Sequence, residues 1–286
     1  MLVIDSQVHV WPAHRADRPL GASGRDRTPY GYETLVADMD SAGVDRAILV
    51  PPSYDGDRND YAIEAARKYP GRFAIMGRID LQKPAERERL AGWKSQPGML
   101  GVRLTFHRDK DRPWLTDGTA DWFWPEAERH GIPAMVHAPE RVAAVKEIAA
   151  RHPGLPVIYD HMAFARETMD DRAGARVQEL LPLAALPNVF VKVSALPCFS
   201  TEPYPFRNLH EPLRRIIETF GPSRCFWGSD ITRVPKTCSY RQVVTMFTEE
   251  LDFLKGGDLE WVMGKGLAAC LRWPLPAAPA AAGGLV

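Results

Sequence analysis

The chain has 286 residues, 45% of them hydrophobic, enough to bury a large core as one big α/β domain or two ordinary ones. Lysine plus arginine equals aspartate plus glutamate, at 36 each, so no basic excess points to nucleic acid or an anionic membrane surface. No run reaches the roughly 18 apolar residues of a membrane span, no leader-like segment opens the chain, and Cys198, Cys225, Cys238 and Cys270 form no CxxC pair, so a cytoplasmic protein with free thiols is expected.

In chain order, eight apolar runs read as strands: 2–9, 45–51, 73–79, 99–105, 132–137, 156–161, 189–194 and 225–230. Most lack clean alternation, as parallel strands buried on both faces do. Amphipathic stretches follow them at 31–42, 60–69, 85–94, 121–130, 139–151, 174–186, 208–220 and 240–254, with a last one near 259–271. Several end in Gly or Pro signals, as in Tyr69-Pro-Gly71 and His152-Pro-Gly154, where Gly accepts the left-handed cap and Pro stops the helix. Eight such units predict right-handed crossovers and a (β/α)8 barrel over residues 1–273, with a Pro/Ala/Gly tail at 274–286 that frays. A doubly wound open sheet is the alternative. Eight is the closing number, however, and no Gly-rich phosphate loop follows the first run.

Barrel geometry brings strand ends together. Four of these runs stop at His or Asp: Gln7-Val-His9, Met135-Val-His137, Tyr159-Asp-His161 and Gly228-Ser-Asp230. Imidazole with carboxylate is a ligand set for Zn, Mn or Fe, and a divalent ion would acidify a bound water. A carboxylate beside that water can take its proton and return it to a leaving group. A lone histidine is more often structural, and His130 and His152 fit that reading at helix ends, where a cation meets the negative end of the dipole. His14 and His210 receive no role. Arg103, at the end of the fourth strand, offers a fork for a carboxylate or a salt bridge closing the barrel top. Tyr54, His107 and Ser194 complete the expected substrate-facing set, with Arg78 a weaker candidate. Lys192, on the same strand face as Ser194 but lower, is expected as a buried ion-pair partner. Trp11, Phe106, Trp114, Phe164, Phe199 and Tyr204 are candidate pocket walls, and 195–206 a candidate lid.

The segments Ile4-Asp-Ser-Gln-Val-His-Val-Trp11, Gly101-Val-Arg103, Ile158-Tyr-Asp-His-Met162, Val191-Lys-Val-Ser194 and Trp227-Gly-Ser-Asp230 resemble the amidohydrolase superfamily. The resemblance spans roughly residues 2 to 273 and lies in the amidohydrolase-related branch of dicarboxylate and sugar-acid lactonases and metal-dependent decarboxylases. It implies that His9 and His137 are metal ligands. His161 would bind metal or polarise a carbonyl, and Asp230 would be both ligand and general acid/base. Gln7 departs from the pattern. It stands where a His-x-His pair would begin, and an amide oxygen is a weaker ligand than imidazole toward zinc. One divalent ion, Zn or Mn, is expected, with metal-free catalysis as the alternative. The segment Met263-Gly-Lys-Gly266 also lacks an Asn common in the family, at a position read as structural. The implied activity is hydrolysis of a lactone or related ester of a carboxylated small molecule. Decarboxylation of an aromatic or unsaturated acid and a non-catalytic binding barrel are the alternatives. Self-association is left open.

Overall fold

The structure, a computed structural model, describes residues 1–16, 18–20, 27–234 and 238–274. The expected tail beyond Pro274 lies outside the described residues. Eight parallel strands stand in sequence order in one sheet: β1 (Ile4–Val8), β2 (Arg46–Leu49), β3 (Phe73–Gly77), β4 (Met99–Thr105), β5 (Ala134–His137), β6 (Val157–Tyr159), β7 (Val189–Ser194) and β8 (Cys225–Gly228). β8 returns beside β1, so the chain is the expected (β/α)8 barrel.

The seam between β1 and β8 is held largely by one side chain. The buried Asp5 carboxylate accepts from the Gln7 and Ser229 amides at 2.9 Å, from the Ser229 hydroxyl, and from the Tyr240 hydroxyl at 2.7 Å. The Asp230 amide adds a bond to the Gln7 carbonyl at 2.9 Å. Burial raises the Asp5 carboxyl above its ordinary range, and the four donors pull against that rise. Register shifts between Asp5 and Val8, which lets Ile4 and then Gln7 both reach the interior.

The interior is apolar at the bottom and polar at the top. Ile4, Ile48, Ala74, Met76, Met135, Ile158 and Phe226 pack as one cluster with Leu267, Ala268 and Leu271 of the last helix. Two residues onward along β5, β6 and β7 the same face carries His137, Asp160 and Lys192, because side chains alternate with period two. A larger apolar layer fills the space between strands and helices.

Most expected helices form, with local differences. The 85–94 stretch is a run of 3-10 turns over Pro84–Ser95. Only Leu90 and Trp93 are buried there, three residues apart, and that spacing suits a three-residue turn. The 259–271 stretch is interrupted by a π turn at Trp261–Lys265. A Cβ on Gly264 would lie 2.8 Å from the Leu2 carbonyl, and one on Gly266 would lie 2.8 Å from that of Ser223. The glycines of the 263–266 segment thus let backbone meet backbone beneath β1. All four cysteines are free thiols. Among the described residues no helix is long and apolar enough to cross a membrane.

Candidate active site

A cavity of about 790 Å³ opens at the C-terminal ends of the strands. It is bordered by His9, His107, His137, His161 and Asp230, by Trp11, Tyr54 and Phe164, and by Arg27, Arg103, Arg112, Arg141, Arg166 and Arg233. Among the described residues, the acids on the wall are Asp230, Glu140 and Glu167. Arginine outnumbers them, so the cavity favours an anionic guest.

Asp230 sits at the centre. Its Oδ1 lies 3.6 Å from His9 Nε2 and its Oδ2 lies 3.7 Å from His161 Nε2. Arg233 Nη1 stands 3.9 Å from Oδ2. Asp230 Oδ1 is buried with no hydrogen-bond partner among the described residues, and so is His137 Nδ1. The backbone here is strained. Asp230 has φ of 50°, and His161, Met162 and Ala163 follow one another at 51°, 58° and 62°. Left-handed non-glycine residues cost free energy and gather at functional sites. The turn at Asp160–Ala163 also ends β6 after three residues, earlier than expected.

The imidazoles are held neutral. Burial lowers His161 to about 3, drives His137 well below its ordinary value, and lowers His9 against the opposing charge of Asp230. His161 Nδ1 is 2.8 Å from Ser194 Oγ. Ser194 therefore stands behind His161 and does not border the cavity. The ring centroids of His137 and His161 are 5.3 Å apart, and those of His107 and His137 are 4.9 Å apart. The Tyr54 hydroxyl is buried on the cavity wall without a hydrogen-bond partner among the described residues.

Beneath these groups lies a network of ion pairs and hydrogen bonds. Lys192, fully buried, donates to Gln7 Oε1 and lies 3.0 Å from Asp160 Oδ1. With its oxygen held by the ammonium, the Gln7 amide turns its N–H toward His9 Nε2, 3.1 Å away. His9 Nδ1 lies 2.6 Å from the Val50 carbonyl, which can only accept, so Nδ1 carries the proton and Nε2 the lone pair. Asp160 Oδ2 accepts from Arg103 Nε at 3.1 Å, and Arg103 Nη1 donates to Thr105 Oγ1 at 2.6 Å. Lys192 is thus the expected buried ion-pair partner. Arg103 makes the expected salt bridge, to Asp160, and also borders the cavity.

Ligand atoms of His137, Asp160 and His161 lie within 4.8 Å of one another, close enough to share an ion. Both Asp160 oxygens face cations, however. Gln7 Oε1 is taken by Lys192, and the His9 lone pair faces the Gln7 amide. Among the described residues, His137 and Asp230 keep ligand atoms that face neither a cation nor a donor of the network, with His161 between them.

The sequence patterns assign no role to Asp160 or Arg233. Asp160 had a readable signal: a lysine inside the apolar run Val189-Phe-Val-Lys-Val193 needs a buried anion. Arg233 had none, since it follows Asp230 in an irregular turn. Of the expected aromatic walls, Trp11 and Phe164 border the cavity, while Phe106 and Phe199 are buried in the core and Tyr204 bonds Thr245. The 195–206 segment packs inward through Leu196, Pro197 and Phe199, which does not suit an open lid.

A parallel barrel with acid–base groups converging at its C-terminal mouth defines an enzyme, and the sequence agrees. Residues 4–265 match the family described as Amidohydrolase, and the chain belongs to it as a hydrolase. It is 27% identical to an L-fucono-1,5-lactonase of Burkholderia multivorans over 96% of this chain and 98% of that protein. A solved amidohydrolase from Burkholderia multivorans with bound zinc superposes at a TM-score of 0.78, with 24% identity, covering 96% of this chain and 100% of that one. A probable 2-pyrone-4,6-dicarboxylic acid hydrolase of Acinetobacter baumannii, solved with citric acid, superposes at 0.77 with 18% identity over 96% and 100%.

Proposed function

We propose that the protein hydrolyses a lactone, or a related ester, of a carboxylated small molecule in the cytoplasm. The observation that carries this reading is Asp230, a carboxylate at the end of β8 with a buried, unpartnered oxygen, set between two neutral imidazoles in an arginine-rich cavity. Such a group takes a proton from water as the water attacks the lactone carbonyl, then returns it to the ring oxygen that leaves. His161, oriented by Ser194, donates a hydrogen bond to the carbonyl oxygen as negative charge develops there. Arg103 and Arg233 hold the substrate carboxylate, and Tyr54 and His107 border it. The lactonase relative and the free thiols support the same reading.

His137, His161 and Asp230 are the residues that would hold a divalent ion, zinc being the ion in one similar structure, and His161 would then be a ligand in place of a hydrogen-bond donor to the carbonyl. Such an ion polarises an oxygen and acidifies water. Gln7 and His9 fit a ligand role less well, because each already spends its donor atom inside the network.

Asp230→Asn tests the assignment. The expected result is a fall of about 10³-fold in kcat/KM toward carboxylated lactones, in line with the loss of a general base, with an unchanged circular dichroism spectrum. Retention of wild-type activity would remove Asp230 from the mechanism. Base consumption in a pH-stat separates ring opening from decarboxylation, and release of CO2 without base consumption would overturn the hydrolase reading.

A further inference from the structure

Beside the main cavity is a smaller one of about 160 Å³, and Ser53 and Arg103 border both. Its walls include Arg78, Arg108, Lys110, Asp57 and Asp80. Arg78 is the unusual member. It follows β3 directly, with a side chain only 8% exposed. Asn59 clamps its backbone from both sides, accepting from the Arg78 amide at 2.7 Å and donating to the Arg78 carbonyl at 2.9 Å, so its start is fixed. Its Nη1 makes one long contact, 3.4 Å to Thr105 Oγ1, which already serves Arg103 at 2.6 Å. Its Nε has no hydrogen bond among the described residues, and the nearest acid, half-exposed Asp57, is 3.6 Å away.

The neighbouring charges do not resolve this. Asp80 is engaged by Lys83 at 2.9 Å and by the Gln82 amide at 3.0 Å. Asp111 is spent on Arg108. Burial, and then the nearby charge of Arg103, lower Arg78 to about 10, the mark of a cation held where cations are disfavoured. A buried guanidinium with one long hydrogen bond and one loose ion pair is costly unless an anion completes it.

We propose that this small cavity is an oxyanion subsite, built on Arg78 with Arg108 and Lys110, that takes a carboxylate, sulfate or phosphate group. The group comes either from the far end of the substrate, reaching past Arg103, or from a free anion. The first source rests on the lactonase reading; the subsite itself does not.

Inorganic sulfate is the direct probe. Calorimetric titration of the full chain should show binding that weakens at least 10-fold in Arg78→Met and partly recovers in Arg78→Lys, with circular dichroism as the fold control. Lys110→Gln, on an exposed loop, gives a second reading if Arg78→Met fails to fold, with a smaller loss expected. Equal sulfate affinity in the wild type and these variants, or no binding by the wild type, would overturn the subsite. Turnover identifies the source. A rise in KM confined to lactones with two carboxylates assigns the subsite to the substrate, whereas unchanged KM with lost sulfate binding assigns it to a free anion. The titration needs no turnover, so it reads the subsite even if no lactone is cleaved.

Discussion

Two polar layers lie within a few ångströms of each other inside the barrel, and they differ in what faces them. In the lower one, Asp160, Lys192, Gln7 and Arg103 point their charges and amides at each other. In the upper one, Asp230 Oδ1, His137 Nδ1 and the Tyr54 hydroxyl have no protein partner among the described residues. Buried polar groups are nearly always satisfied, so groups left open on a cavity wall are addressed to a guest. Under the proposed function, the lower layer is scaffold and the upper layer is reagent.

The sharpest way to break that distinction is Lys192→Met. It leaves Asp160 with Arg103 alone and strips Gln7 Oε1 of its donor, and removing one member of a buried pair costs about 3–5 kcal/mol. A large drop in the denaturation midpoint is expected, partly recovered by adding Asp160→Asn. A variant as stable as the wild type would show that the lower layer is not structural.

Acid comes next. The ordinary value of His161 is 6.5 and burial holds it at about 3, so below the ordinary value the unfolded chain gains a proton that the native protein refuses. Stability therefore falls as pH drops from 6.5 toward 3, by about 1.4 kcal/mol per pH unit for such a group. His9 and His137 act in the same direction. Asp160 behaves differently. Burial raises it, but Lys192 and Arg103 prevail and bring it to about 2, so its contribution is intact above its ordinary 3.8 and lost only below. Melting temperatures measured with chelator should decline from about pH 6.5, less steeply in His161→Asn. A flat profile down to about pH 4 would contradict neutral buried imidazoles.

The smallest effect expected is that of Ser194→Ala. It removes one hydrogen bond to His161, worth about 1 kcal/mol, and should lower kcat by roughly fivefold with little change in KM. A change confined to KM would place Ser194 against the substrate instead.

Much of the barrel was legible because parallel strands announce themselves as unbroken apolar runs, and Val189–Ser194 matches its expected range in full. Interior turns were harder. The 3-10 run at 84–95 and the left-handed turn after Tyr159 follow from tertiary packing that no local pattern records. The same limit applies to the site. His9, His137, His161 and Asp230 could be named because each ends a strand. The orientation of Gln7 is decided by Lys192, 185 positions away, and spacing along the chain cannot reveal it. Arg78 was read only as a weaker candidate, because its significance lies in the partners it lacks.

The Asp5 seam bears on how the molecule is made. Its bonds to Ser229 and Tyr240 span 224 and 235 positions, so the first strand emerges from synthesis long before the groups that anchor it exist. Contacts so remote carry a high loop-closure cost and form late. Until then the edge of β1 is a half-finished surface, and the enzyme assumes its working shape only after Ser229 and Tyr240 have been made.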